Sequence, residues 1–414
     1  MSNVSSPRVI NIGLAGLGNV GAGVFKNLEK NRALISQRIG AELRITRVAV
    51  RDLARPRDIE VPNELLTTDW RELVNDPAIP VIVELIGGTT TAYEMVAAAL
   101  RAKKIVVTGN KALLAERGKE LFALAEEFGV PIYFEAAVAG GIPIIQVLQE
   151  GLVGNHIRSI HGIINGTCNY ILTRMSQAGL SYTDALGEAQ EKGYAEADPT
   201  LDVSGWDAAH KAIILASLSY GFWIPQDKVH VEGVDRVSIT DFKFASRLGY
   251  TIKLLSVIRA DENGLVEVRT QPTLVPLSHV LAGQDPTSSS VISDLCEAAA
   301  VLMHGARHSG FVPHGLYGKS KPVDDTVSHY YLRLTVDDVP GVLAQVATVL
   351  GERGIGISSM IQPEDLEDTS GETSLVLMIH DARLGDMKSA LAAICQLKCV
   401  RGEPSWMRVE TLQG

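Results

Sequence analysis

Apolar positions in the first third of the chain fall in short continuous runs separated by longer amphipathic stretches. Val9 to Ala15 is the first run and reaches Gly16-Leu17-Gly18-Asn19-Val20-Gly21, after which a helical pattern extends from Gly23 to about Ile39. Further runs stand at Leu43–Val50, Val81–Ile86, Ile105–Thr108 and Ile132–Glu135, with helix-like segments at Tyr93–Lys103 and Leu113–Phe128. Unbroken apolar strands alternating with amphipathic helices predict a parallel sheet covered on both faces. This α/β region ends near Gly140-Gly141-Ile142-Pro143.

From about Ile144 the pattern changes. A helical stretch leads to a strand at Ile160–Ile164, and Asn165-Gly166-Thr167 opens another helix. Three more helical segments run to Phe222, after which Tyr250–Arg259 and Leu265–Val275 read as strands. Helices followed by strands predict a separate α+β domain. The last segment reads as a third domain of order βαββαβ. Tyr331–Val336 puts Leu332, Leu334 and Val336 on one face and Tyr331, Arg333 and Thr335 on the other. Pro340-Gly341 turns the chain into an apolar stripe from Val342 to Leu350, and strands follow at Ile355–Ile361 and Ser374–His380. An acidic loop, Pro363–Glu372, lies between those two strands. A helix at Ala382–Ala393 and a strand to Val409 complete it.

Composition narrows the function classes. The 414 residues carry 38 Lys plus Arg against 48 Asp plus Glu, a net charge of −10. No basic tract accompanies that balance, so no nucleic-acid partner is expected. The longest uncharged stretch, Ala212 to Gln226, is too short to span a bilayer, and the first residues lack a signal-peptide pattern. Four scattered cysteines do not make a disulfide scaffold, and Cys395 and Cys399 read as core thiols. The expectation is a cytoplasmic protein with reduced thiols and no membrane partner.

The first candidate chemistry is the glycine turn. Gly16, Gly18 and Gly21 fit G-x-G-x-x-G, in which the glycines allow a tight turn, close approach of a pyrophosphate, and helix–strand packing. Asn19 and Val20 open the helix whose N–H groups would meet the phosphates. A mere tight turn is the bland alternative. The second apolar strand ends in Val50-Arg51-Asp52, where Arg51 suits a 2′-phosphate and favours NADP. The same residues also read as an ordinary charged pair at a strand end.

The more specific constellation runs from Gly193 to Lys211 and contains Glu196, Asp198, Asp202, Asp207 and Lys211. Asp207 and Lys211 stand four apart on one helical face, where an exposed pair would be worth about 0.3–0.5 kcal/mol. The same helix continues without a charge to Trp223, the mark of a buried helix. Taking an ammonium and a carboxylate out of water costs several kcal/mol per ion, so such a pair points to chemistry.

Thr108-Gly109-Asn110-Lys111 follows a strand of the parallel sheet, at the end where such sheets bind ligands. A solvated loop lysine is its alternative reading. Glu135 to Pro143 sets glycines beside one carboxylate, equally consistent with a carbonyl-rich cation site and with a domain hinge. No G-x-S-x-G is present, and Gly318-Lys319-Ser320 lacks the P-loop glycine because Pro313 holds its place. His156, His161 and Cys168 lack zinc-ligand spacing.

These residues together resemble homoserine dehydrogenase of the monofunctional bacterial type with a C-terminal ACT domain, over nearly the whole chain. The resemblance is most specific from Ala189 to Lys211, and extends to Gly166–Leu172, Phe134–Pro143 and Tyr331–Met360. It implies a Rossmann-type domain over 1–142 with a returning segment at about 286–325. A substrate and dimerisation domain over 143–285 and an ACT domain over 329–414 complete the chain. It further implies reversible reduction of L-aspartate 4-semialdehyde to L-homoserine with NAD(P)H; the Arg51 reading makes NADP(H) the preferred cofactor and NAD(H) the other. On the matching positions Lys211 is the acid/base, with Lys111 beside it near the nicotinamide. Glu196 and Asp207 bind substrate, and Glu135, Val138, Gly140 and Ile142 hold a monovalent cation, sodium. An amino-acid effector, threonine by expectation, belongs to the ACT domain of a homodimer or homotetramer. Two departures are visible. Gly109 stands where the family has Ala, and the passage Leu281 to Val291 is shorter than the family's. The second leaves open a catalytically impaired relative that senses amino acids or assists assembly.

Overall fold

A computed structural model describes residues 8–57, 59–282, 317–362 and 371–410. They form two compact units. One holds the described residues up to His156 together with Ile213–Gln226 and Tyr317, and the other holds Ile157–Ala212 and the described residues from 227 to 282 and from 318 onward.

The first unit is built on β1 (Arg8–Ala15), β2 (Ala41–Ala49), β3 (Leu66–Thr67), β4 (Val81–Glu84), β5 (Ile105–Thr108) and β6 (Ile132–Tyr133). All pair in parallel in the order β3-β2-β1-β4-β5-β6. That is the doubly wound dinucleotide-binding order, whose direction reverses between β1 and β4. Every residue of β4 and β5 is buried, as continuous apolar runs require. Helices α1 (Asn19–Ile39), α2 (Arg71–Asn75), α3 (Thr90–Arg101) and α4 (Lys111–Phe128) supply the crossovers. On α3 the buried residues Ala92, Met95, Val96 and Ala99 recur every three to four positions and make one apolar face. Gly40 and Gly129, both left-handed, end α1 and α4. The short β3 and α2 have too few residues to show a period and are not evident from the sequence. The last apolar run stops at Tyr133, and a 3-10 turn takes Glu135–Ala137.

The second unit carries one long sheet of order β13-β14-β12-β15-β10-β9-β7. Its members are β7 (Ser159–Gly162), β8 (His230–Val231), β9 (Tyr250–Ala260), β10 (Leu265–Pro276), β11 (Lys319–Ser320), β12 (Val327–Asp337), β13 (Ile357–Ile361), β14 (Glu372–Arg383) and β15 (Val400–Val409). After the single turn α5 (Ile144–Gln146) of the first unit come α6 (Gly166–Ala178), α7 (Tyr182–Glu191), α8 (Thr200–Val203) and α9 (Trp206–Tyr220). Three more follow: α10 (Ile239–Arg247), α11 (Val342–Gly351) and α12 (Leu384–Ile394). The C-terminal order is βαββαβ as the pattern predicts. Leu332, Leu334 and Val336 pack with Val346, Leu350, Leu384 and Met387 under α11 and α12. The opposite face of the same sheet is covered too: Tyr331, Val376, Met407 and Val409 share a core with Phe242, Leu254 and Leu274.

Cys399 is buried, but Cys395 is exposed, because it stands one residue past α12 and off that helix's apolar face. The shortened passage beyond Ala282, the returning segment up to residue 316 and most of the acidic loop from Pro363 lie outside the described residues.

Candidate active site

Three separate constraints shape the glycine turn at the end of β1. Gly16 has φ +98°, and a Cβ there would stand 2.3 Å from the Leu85 carbonyl oxygen. A Cβ on Gly21 would stand 2.1 Å from the Gly16 carbonyl oxygen, so the helix can approach the strand only as glycine. Gly18 has nothing within 4 Å of the same position. It leaves exposed, open space at the start of α1, where Asn19 and Val20 are exposed as well. No side chain caps that helix and its first turn carries no acid. Unsatisfied N–H groups at a helix start attract phosphate, so these residues fit a dinucleotide. The Gly16 N–H donates to the Ala49 carbonyl at 2.9 Å, which ties the turn to the end of β2 and to the exposed Arg51 just beyond.

Lys111 is the first residue of α4, directly past β5. Asn110 caps that helix, its Oδ1 accepting the Leu113 N–H at 3.1 Å. The Asn110 amide donates at 2.7 Å to the Gly88 carbonyl in the loop after β4. Glu84, fully buried at the end of β4, accepts the Thr108 hydroxyl at 2.6 Å. No sequence pattern singles out Glu84.

Glu135 is buried, and burial raises its carboxyl above the usual range against two opposing main-chain hydrogen bonds. Its Oε1 accepts the Ile145 N–H at 2.8 Å and its Oε2 the Gln146 N–H at 2.9 Å. The carboxylate therefore fastens the turn α5. Between them Ala139 and Gly141 both adopt positive φ, with Val138 buried, Gly140 half-buried and Ile142 exposed. The residues suited to a hard cation there are main-chain carbonyls, since no cluster of three or more His, Cys, Asp or Glu exists among the described residues.

The first turns of α9, the part that belongs to the second unit, are buried as the helix's uncharged continuation predicts: Asp207, Ala208, Ala209 and Ala212 are inside. The Lys211 side chain is 17% exposed. Its ammonium donates to Asp207 Oδ2 and to the Ile164 carbonyl, both at 2.7 Å. Asp207 Oδ2 also accepts from Asn165 Nδ2 at 2.8 Å, and the same amide donates to Asp202 Oδ1 at 2.7 Å. Asn165 Oδ1 meanwhile caps α6 by accepting the Cys168 N–H at 2.8 Å. One buried amide thus fixes two carboxylates and a helix start. Burial pushes the Cys168 thiol up, with Asp202 and Asp207 adding to it, so this cysteine is not a nucleophile. Glu196 is exposed in the loop between α7 and α8, and its carbonyl accepts from Gln190. Lys111 and the glycine turn belong to the first unit, Lys211, Asp207 and Glu196 to the second. A groove of about 690 Å³ lined by Phe25, Lys26, Arg32 and Arg44 includes none of these residues.

A doubly wound sheet with an open phosphate turn, and a desolvated lysine held by carboxylate and carbonyl, define a dinucleotide-dependent oxidoreductase carrying an additional βαββαβ domain. Family models agree in three consecutive parts. Residues 16–135 match the homoserine dehydrogenase NAD binding domain, 143–310 homoserine dehydrogenase, and 330–398 the ACT domain. Homoserine dehydrogenase of Pseudomonas aeruginosa is 41% identical, covering 98% of this chain and 100% of that protein. The crystal structure of a homoserine dehydrogenase from Thiobacillus denitrificans superposes with TM-score 0.88 at 37% identity, covering 98% of this chain and 99% of the other. A hyperthermophilic archaeal homoserine dehydrogenase in complex with NADPH matches at TM-score 0.56 and 26% identity, over 71% of this chain and 96% of the other. The chain belongs to the homoserine dehydrogenase family, and it is an oxidoreductase acting on a CH–OH group.

Proposed function

We propose that this chain reversibly converts L-aspartate 4-semialdehyde to L-homoserine with NADPH preferred over NADH. The observation that carries the reading is Lys211, an ammonium held by Asp207 and the Ile164 carbonyl on an otherwise apolar, buried helix. Bound nicotinamide supplies or takes up the hydride. Reduction of the aldehyde leaves a developing alkoxide that needs a proton, and Lys211 delivers it from Nζ; in the oxidative direction the same amine receives it. Asp207 orients that amine, and with Glu196 it receives the substrate's own ammonium group. Lys111, at the start of α4, is the second catalytic lysine. Support for NADP comes from Arg51, exposed two residues past the carbonyl that anchors the glycine turn, and from the NADPH complex of the archaeal relative.

The main-chain carbonyls around Val138, Gly140 and Ile142, beside Glu135, are the proposed sodium site. The domains are taken as 1–142 with a return at about 286–325, then 143–285 and 329–414. Threonine at the ACT domain is the proposed inhibitor of a cytoplasmic homodimer or homotetramer. No helix among the described residues is long and apolar enough to cross a membrane.

Homoserine-dependent reduction of NADP⁺ tests the reading. Lys211→Ala should lower kcat by about 10²–10⁴-fold with nucleotide affinity unchanged. A change confined to KM would leave Lys211 a binding residue only. A wild-type protein that binds NADPH yet never turns over homoserine would reject the activity.

A further inference from the structure

At the carboxyl end of β4, where the strand order reverses between β1 and β4, a carboxylate lies wholly inside the protein. Glu84 pairs in register with Ala15 of β1 on one side and Thr108 of β5 on the other. In open α/β sheets this is the crevice that takes the ligand. Its hydrogen-bond partners among the described residues are donors from the strand end and loops that border the crevice. The Thr108 hydroxyl donates at 2.6 Å from the end of β5, and the Ile86 N–H at 2.9 Å from the loop after β4. The Gly87 N–H contributes from that loop as well. The Asn110 amide reaches it at 3.4 Å from the cap of α4 while also holding the Gly88 carbonyl at 2.7 Å. Thr108 in addition accepts the Asn110 N–H at 3.0 Å.

No lysine or arginine is among its hydrogen-bond partners in the described residues. A buried carboxylate with no countercharge is a poor device for stability, and burial drives its carboxyl upward against the four donors. What it does accomplish is geometric. One carboxyl group fixes the loop from Leu85 to Gly88, the end of β5 and the N-cap that starts the helix at Lys111. Leu85 also forms the wall against which Gly16 turns.

We propose that Glu84 is a positioning residue for the dehydrogenase reaction, holding Lys111 and the loop after β4 in working geometry without touching substrate. This rests on the reading of Lys111 as part of the reaction. Glu84→Gln keeps the shape and turns an amide donor toward donors. Asn110→Ser keeps a capping oxygen but loses the links to Glu84 and Gly88. Thr108→Val deletes one donor and Thr108→Ser restores it.

In full-length protein, with NADPH affinity read by its fluorescence and kcat by homoserine oxidation, Glu84→Gln and Asn110→Ser should lose roughly 10²-fold in kcat while still binding NADPH. Thr108→Val should lose less, and Thr108→Ser should recover the wild-type rate. If Glu84→Gln does not fold, the same measurements on Asn110→Ser and the Thr108 pair decide the matter. Loss of kcat in Lys111→Ala, with wild-type kcat in the folded Glu84, Asn110 and Thr108 variants, overturns the inference and leaves the Lys111 reading standing. Wild-type kcat in Lys111→Ala overturns that reading and this one with it. A loss of kcat in the Glu84, Asn110 and Thr108 variants that merely follows a loss of melting temperature and NADPH binding also overturns the inference, with the Lys111 reading left standing.

Discussion

Arg51 is exposed at the end of β2, next to Val50, whose N–H donates to the Thr67 carbonyl at 2.9 Å. That bond and the Gly16–Ala49 bond fasten the two residues before Arg51 to β3 and to the phosphate turn. A guanidinium pairs with phosphate through two parallel hydrogen bonds. Arg51→Ala should therefore weaken NADP binding by roughly 10- to 100-fold, the equivalent of about 1.5–3 kcal/mol, and leave NAD nearly unaffected. Nucleotide titrations read the difference, and equal losses for both would remove Arg51 from phosphate recognition. Residues that depend on local spacing were legible: the three glycines, and Lys211 four positions from Asp207 on an uncharged helix. Those that depend on long-range pairing were not. Asn165 was recognisable as a helix opener, but its bonds to Asp202 and Asp207 span 37 and 42 positions. Glu84 meets Thr108 across 24 positions and looks from the sequence like an ordinary charge at the end of a strand.

Among the elements, α10 shows how a short helix escapes a sequence reading and still organises the fold. Its nine residues contain one apolar turn, and its start is secured by a capping box between Ser238 and Asp241. Asp241 is fully buried and accepts from Arg333 Nε at 2.7 Å and the Tyr331 hydroxyl at 3.1 Å, both on β12. The alternation along β12 correctly separated Leu332 and Leu334 from Tyr331 and Arg333. It could not show that the second face meets a helix from another part of the chain. Burial alone would raise the Asp241 carboxyl, but the Arg333 guanidinium, with Ser238, outweighs it and holds the group below its ordinary 3.8. A depressed folded value means this link is complete above pH 3.8 and fades as pH falls through the lower folded value. Arg333→Ala should cost about 3–5 kcal/mol, because it strands a buried carboxylate. Without Arg333 only the Ser238 and Tyr331 hydrogen bonds are left to oppose burial, so the Asp241 carboxyl moves upward and the stability it contributes above pH 3.8 shrinks. Thermal melts between pH 4 and 7 distinguish the two profiles, and Arg333→Ala combined with Asp241→Asn should recover part of the loss. A variant as stable as wild type at pH 7 would show that the pair carries no such weight.

At the scale of the whole second unit, the order of the C-terminal domain was readable but its attachment was not. β15 joins β10 in parallel through only Thr273–Arg408 and Leu274–Val409, too short a pairing to leave a pattern. Around it lies a desolvated charge network. Glu267 binds Arg259 at 2.7 Å and Arg269 at 2.8 Å, Arg408 reaches Glu267 at 3.3 Å, and Arg269 pairs with Glu410. Arg269 and Arg408 are entirely buried. Arg408 and Glu410 come from β15 and the residue after it, Glu267 and Arg269 from β10, so each buried arginine takes a carboxylate partner from the other segment. The apolar face of Tyr331, Met407 and Val409 shares a core with Phe242 and Leu274 in the same way. Deleting the residues from about 329 onward should therefore fail as a test of regulation, since it uncovers that core and leaves Glu267 and Arg269 short of partners. The truncated chain should lose homoserine turnover and its cooperative melt together with any inhibition. In the full chain, Glu410→Ala should lower the melting temperature by roughly 6–20 °C, from about 3–5 kcal/mol for breaking a buried pair at about 2–4 °C per kcal/mol. A truncated protein that melts like the full chain and stays active would show that the domain is an independent appendage after all. Whether an amino acid regulates the enzyme is accordingly better tested by point substitutions on the exposed surface of α11 and its preceding turn, which leave both the shared core and the charge network in place.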